Sequence, residues 1–259
     1  METTEYQKMY ALEDQHWWFR GKRHLVAGFI ARHAPTVTGR PRRFLDVGCG
    51  TGKVLELLSG FGDALGCDFS AESMVFCHAR GFRRLARASA EYLPFRKASV
   101  DVVCLLDVLY HQGIRDDVQV LKDVHALLAP GGVLILTDSA FQFLYGPHDR
   151  AVHARQRYSR PEIRAKLLQA GFQIERLGYY NFFLFPLAAA VRLFERYFPG
   201  KENQSNVDLV PEPLNRFFLA LLRLEVALIR YINLPFGLSV CAVARKPVSS
   251  QVTVGIINS

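Results

Sequence analysis

Over the first two thirds of the chain, short apolar or β-branched runs alternate with stretches whose apolar positions recur at helical spacing. That is the pattern of a mostly parallel sheet covered by helices on both faces. Strands are expected at 42–47 (RRFLDV), 64–69 (ALGCDF), 83–88 (RRLARA), 100–107 (VDVVCLLD) and 132–138 (GVLILTD), with helices near 52–60, 71–80 and 116–128 between them. LAPGG at 128–132 reads as a helix stop and turn, because proline cannot continue a helix and glycine tolerates positive φ. Ser159 caps a further helix with Pro161 and Glu162 in its first turn; AGF ends it and QIERLGYY resumes as a strand. An apolar, arginine-dotted block from Phe182 to Ile232 reads as two amphipathic helices around a polar loop, and GLSVCAVARK (237–246) closes as a strand.

Composition narrows the class. Half of the 259 residues are apolar, enough for one large core. A formal net charge of +8 favours anionic partners such as phosphorylated substrates, acidic lipid surfaces or nucleic acid, although solubility alone would also account for it. Cys49, Cys67, Cys77, Cys104 and Cys241 show neither a CxxC nor a metal-like pairing with histidine, so reduced thiols in a cytoplasmic protein and no metal are expected. METTEYQKMYALED lacks the apolar core of a signal peptide. The apolar run Tyr179–Val191 is interrupted by Asn181 and Pro186 and falls short of the roughly 20 residues of a bilayer span. It is read as able to touch a membrane surface peripherally but not to cross it.

FLDVGCGTGKV carries the chemistry. A hydrophobic strand ends in Asp46, and Gly48, Gly50 and Gly52 form a turn that opens a helix, so backbone amides can approach a ligand closely. About twenty residues on, Asp68 ends the next strand, where a carboxylate accepts hydrogen bonds from ribose hydroxyls. A dinucleotide fingerprint would place its third glycine at Lys53, and a phosphate-binding P-loop would need glycine at Val47 and Ser or Thr at Val54. Neither fits, and an adenosine-bearing ligand of another kind is expected.

DVGCGTG resembles the first motif of the class I S-adenosylmethionine-dependent methyltransferases, D/E-x-G-x-G-x-G. ASAEYLPFRKASVDVVCLLDVLYH resembles the family's adenine-contacting loop and fourth strand, and LKDVHALLAPGGVLILTD the helix, turn and fifth strand behind them, with a weaker match through YSRPEIRAKLLQAGFQIERL. The resemblance implies an α/β, Rossmann-like, seven-stranded, mostly parallel sheet with helices on both faces. It would comprise an N-terminal helical lid (1–40), a cofactor-binding domain (41–180 and 236–247), a helical cap insertion (181–235) and a disordered tail (248–259). It implies S-adenosylmethionine as cofactor and S-adenosylhomocysteine as product. Asp46, Gly48, Cys49 and Gly50 would form the loop at the methionine end, Asp68 would hold the ribose, Phe69 would flank adenine, and Asp107 would sit near the cofactor's amino group or the reacting methyl. In the adenine loop, where the family often has aspartate, Ser89 is followed by Ala90 and Glu91.

Methyl transfer needs an acceptor aligned with the C–S bond and, for a hydroxyl or protonated amine, a general base. His111 is the first candidate, then His148 and His153, with Tyr110 and Tyr145 orienting the acceptor and Arg150, Arg155 and Arg157 clamping an anionic group or simply being solvated. The chain's two tryptophans stand in HWWFR, expected to form a lid in which Trp17, Trp18 or Phe19 covers cofactor or acceptor and Arg20 reaches the methionine carboxylate, or else a staple packing the N-terminal helix down. The aromatic, arginine-rich insertion points to a small hydrophobic or amphipathic acceptor, lipid-like or anionic. A non-catalytic scaffold remains the alternative. Nucleic acid is expected to be an unlikely partner, because DVLY stands where a nucleic-acid methylase would show N/D-P-P-Y/F.

Overall fold

The computed structural model describes residues 3–197 and 209–248; the middle of the polar loop within the insertion and the tail beyond residue 248 lie outside them. Two helices, α1 (Thr3–Leu12) and α2 (Trp17–His33), precede β1 (Arg43–Val47), α3 (Lys53–Ser59), β2 (Asp63–Asp68), α4 (Ala71–Ala79), β3 (Leu85–Arg87), β4 (Val100–Leu106), α5 (Asp117–Leu127) and β5 (Leu128–Ser139). There follow α6 (Pro147–Ala151), α7 (Arg160–Gln169), β6 (Gln173–Tyr180), α8 (Phe185–Tyr197), α9 (Glu212–Ile229) and β7 (Ser239–Arg245).

The seven strands form one sheet in the order β3-β2-β1-β4-β5-β7-β6, parallel from β3 to β5, with β7 antiparallel to both its neighbours. Strands covered on both faces must be apolar throughout rather than alternating. Accordingly β4 is buried from Val100 to Leu105, and β7 from Ser239 to Ala244. α5 and α7 cover one face through Val120, Leu121, Val124, Ile163 and Leu167. The other face is covered by Leu25, Val26, Phe29 and Ile30 of α2 with Leu222, Val226 and Ile229 of α9. α9 thus belongs to a covering layer of the sheet. Gly21 permits its close approach to α2, since a Cβ there would collide with Leu222 Cδ1 and lie 2.8 Å from the Tyr180 hydroxyl.

Local signals fixed several boundaries. Ser159 accepts from the Glu162 amide while the Glu162 carboxylate accepts from the Ser159 amide, a reciprocal cap at the head of α7. The expected turn at LAPGG persists as an irregularity inside β5: the β4 register moves from Val100–Leu128 to Val102–Val133, with Gly131 at φ +77°. β3 is shorter than expected, three residues at the sheet edge, because its arginines have no apolar face to bury. No helix among the described residues is long and apolar enough to cross a membrane.

Candidate functional site

The strand order reverses between β1 and β4, and ligands bind open α/β sheets outside the carboxyl ends at such a point. The loop leaving β1 holds Gly48, Gly50 and Gly52 at φ +77°, +53° and +85°, a region that excludes most side chains. A Cβ on Gly48 would meet Val108 Cγ2 at 2.5 Å. The Gly48 and Cys49 amides donate to the Cys67 carbonyl at 2.7 and 3.0 Å, tying the loop to β2. At the end of β2, Asp68 accepts from the Gly50 amide on Oδ2 and the Ser70 amide on Oδ1, both at 2.9 Å. Its carboxylate plane is therefore set by backbone, and further lone pairs remain for a ligand.

Above this loop lies a cavity of about 390 Å³, within the roughly 300–1,000 Å³ of small-molecule sites. Asp46, Gly48, Cys49, Gly50, Asp68, Phe69, Ser89, Ala90 and Asp107 all line it. Asp46 is 2% exposed, its Oδ2 has no partner, and burial pushes its carboxyl well above the usual range. An unpartnered carboxyl, a glycine floor with no room for side chains and a backbone-fixed carboxylate suit a cationic, ribose-bearing ligand, so S-adenosylmethionine fits the residues present. Glu91 is not in the lining; its Oε1 accepts from the Arg115 amide at 2.7 Å and holds the loop before α5.

The two N-terminal helices roof the cavity. Tyr6, Met9 and Glu13 line it from α1 and the turn after it, and the Tyr6 hydroxyl reaches Asp68 Oδ1 at 3.4 Å. Glu13 accepts from Thr51 Oγ1 at 2.7 Å and from Arg80 Nη2 at 2.6 Å, while Arg80 Nε donates to the Thr51 carbonyl at 2.9 Å. Burial still raises the Glu13 pKa above its ordinary value. The tryptophans divide the tasks. Trp18 lines the cavity and stacks on Tyr180, whereas Trp17 packs on Phe218 of α9 and donates its amide to Asn215 Oδ1 at 2.8 Å. Arg20 is absent from the lining; Lys22 and Arg23 are there instead, and Lys22 is ion-paired with Asp107.

Across the cavity stand Tyr110, His111 and His148. Residues 110–112 pair with 153–155, through Arg155 N to Tyr110 O at 2.6 Å and Gln112 N to His153 O at 2.9 Å, which brings the two histidine-bearing loops together. His153 itself is outside the lining, stacked on His111 and bonded to Gln112 Nε2. His111 Nδ1 accepts from the Gly113 amide at 3.0 Å, so in the neutral ring the proton sits on Nε2, which is buried without a partner. Burial lowers its pKa to about 4. In that tautomer neither ring nitrogen of His111 is left as a free acceptor. Burial also lowers His148, against the opposing pull of Asp149. Arg155 and Arg157 do not face the cavity as an anion clamp: Arg155 pairs with Asp117 and Arg157 with the buried Asp149. Tyr145 is spent on the Ala154 carbonyl at 2.9 Å.

Tyr6, Met9, Glu13, Lys22, Arg23, Thr51 and Val108 were missed by motif reading. Only the spacing of Tyr6, Met9, Tyr10 and Glu13 on one helical face hinted at the first three.

Residues 45–136 match the family described as Methyltransferase domain. The Bos taurus protein named "Probable tRNA methyltransferase 9B" is 32% identical over 92 residues, 35% of this chain and 20% of that protein. The tRNA U34 carboxymethyltransferase of Azotobacter vinelandii is 30% identical over 156 residues, 54% of this chain and 48% of that protein. The chain thus spans less than half of either relative. Among solved structures, the partner of the Trm112 methyltransferase activator in a Haloferax volcanii complex superposes with a TM-score of 0.58 at 20% identity, covering 95% of this chain and 94% of that one. Names that include tRNA enzymes remove the ground for ranking nucleic acid low as a partner. Residues 45–136 thus match a methyltransferase domain, and the chain shares the fold of the Haloferax volcanii protein.

Proposed function

We propose that the chain transfers the methyl group of S-adenosylmethionine to an acceptor entering between Tyr110, His148 and Asp107. The observation that carries this reading is the constellation of unpartnered Asp46, the Gly48–Gly50 floor and backbone-fixed Asp68 around one roofed cavity. The bound cofactor supplies a methyl carbon already activated by a sulfonium. The chain's own work is alignment and exclusion of water. Asp68 holds the ribose, Ser89 and Ala90 border the adenine, and Lys22 and Arg23 take the carboxylate role first expected of Arg20. The acceptor's lone pair attacks in line, and His148 takes its proton where one must leave.

Two acceptor classes remain in view. A small apolar acceptor is favoured by walls made of Val54, Leu106, Val108, Ile114 and Val152 under a helical roof, and the relatives include a demethylmenaquinone methyltransferase of Geobacillus kaustophilus. A nucleotide presented by tRNA is the second reading, supported by the tRNA relatives and the charge of +8. Calorimetry with the purified chain is expected to detect S-adenosylmethionine uptake, weakened roughly ten- to a hundredfold in Asp68→Ala. No uptake by the native chain would end this reading. Label from the methyl group, followed into lipid, small-molecule and RNA pools of an extract, decides the acceptor.

A further inference from the structure

α9 carries apolar residues on two opposite faces. Its inward face, Leu219, Leu222, Val226 and Ile229, packs against the sheet and α2. Its outward face is equally apolar: Phe217 (56% exposed), Leu224 (50%) and, in the turn that follows, Tyr231 (77%), spaced seven residues apart with exposed Ala220 and Ala227 between them. One margin of this ridge is a second row at the same spacing, Arg216, Arg223 and Arg230, all exposed. The helix has two acids. Glu225 is turned inward, accepting the Asn181 and Phe183 amides at 2.7 and 2.8 Å, and Glu212 stands apart in the first turn. A helix that is apolar outward as well as inward needs a cover, and none of the described residues provides one.

We propose that this ridge docks the protein on an anionic lipid surface, with Phe217, Leu224 and Tyr231 entering the interface and the arginine row engaging phosphate headgroups. Charge selects this occupant. A second copy packed antiparallel would set both arginine rows on one side of the seam, like charge beside like. RNA would satisfy the arginines but leave Leu224 and the alanines facing water. A bilayer interface accepts both features, because long cationic side chains lie along apolar surface and send their charge to the headgroups. The proposal does not depend on which acceptor is methylated.

The test is co-sedimentation of the full chain with vesicles of phosphatidylcholine alone or with added phosphatidylglycerol, at low and high salt. Pelleting with the anionic vesicles is expected at low salt, reduced at high salt. Phe217→Ser/Leu224→Ser/Tyr231→Ser should lose it by roughly tenfold or more. Arg216→Gln/Arg230→Gln leaves the Arg223–His24 contact intact and should lose roughly fivefold per arginine. These side chains are exposed, so circular dichroism and thermal unfolding should remain native in both variants. The proposal would be overturned by no pelleting with anionic vesicles at low salt, by pelleting that both variants retain in full, or by a dimer in sedimentation velocity that the serine variant dissolves. Binding of tRNA that both variants weaken while vesicle binding stays unchanged would do the same.

Discussion

His111 and His148 line one cavity, yet their partners give them different proton chemistry. The Gly113 amide occupies Nδ1 of His111, leaving an N–H to offer. His148 is held neutral near pH 7 by burial and faces the same space, which suits it to accept a proton. His148→Gln should therefore lower kcat/KM by roughly 10²–10⁴-fold and abolish the acid limb of the pH–rate profile. His111→Gln should keep that limb. An intact limb in His148→Gln would remove His148 as the base. Asp46 makes a second residue-scale prediction. Its carboxyl is neutral above the usual range, and a cation beside it favours the ionised form, so cofactor uptake must expel a proton until the pH exceeds the Asp46 pKa. Affinity should then rise with pH, and calorimetry in buffers of different ionisation enthalpy should register proton release that Asp46→Asn lacks. Equal heats in all buffers for the native chain would count against this assignment.

Charged contacts tie the end of α1 to the glycine loop, beside the buried Tyr6 and the ring contact of Tyr10 with Phe76. Glu13 bridges Thr51 and Arg80, with Arg80 also lying over the Tyr10 ring at 4.4 Å. Hydrogen bonds to charged groups contribute about 1.5–3 kcal/mol each. Glu13→Gln should accordingly raise the cofactor dissociation rate roughly tenfold or more, read by stopped-flow fluorescence of Trp18 in the cavity wall; an unchanged rate would show that α1 does not gate. The sequence disclosed elements unevenly for physical reasons. The glycine loop and Asp68 were legible because their geometry is set within a strand–turn–helix unit. The roof was not, since it depends on how α1 and α2 are rotated after packing. Trp18 and Lys22 lie one turn apart on the same side of α2, whereas Arg20, two residues from each, points roughly 200° away from Trp18. The arginines of the 150–157 loop were misread for a similar reason, because Asp117 neutralises Arg155 from α5 and Asp149 neutralises Arg157 from α6.

At the scale of the whole molecule these buried groups set the response to acid. His24, His111, His125 and His148 all have pKa values lowered by burial, whereas burial raises Glu13, Asp46, Asp138 and Glu225. Stability changes with pH according to the difference in protons bound by the unfolded and folded chains. As pH falls below about 6.5 the unfolded histidines take up protons that the folded ones refuse, which removes stability. The raised carboxyls act in the opposite sense, because the folded chain binds their protons while the unfolded chain, down to about pH 4, does not. The two sets oppose each other between roughly pH 4 and 6.5, so the profile of the ligand-free protein is flattened there. Its acid limb falls below that window, where Asp14, Asp101 and Glu175, held low by Lys53, Arg40 and Arg245, lose their pairing. His111, with its pKa lowered to about 4, isolates one side of this balance. Urea unfolding of the native chain and His111→Gln at matched pH should give a constant difference above pH 6.5. As the pH then falls toward 4, the native chain should lose stability relative to the variant, with its unfolding midpoint shifting at unchanged m-value. A difference that stays constant over this range would mean that the His111 ring is as accessible to protons in the folded state as in the unfolded one, and the tautomer drawn from Gly113 would fail with it.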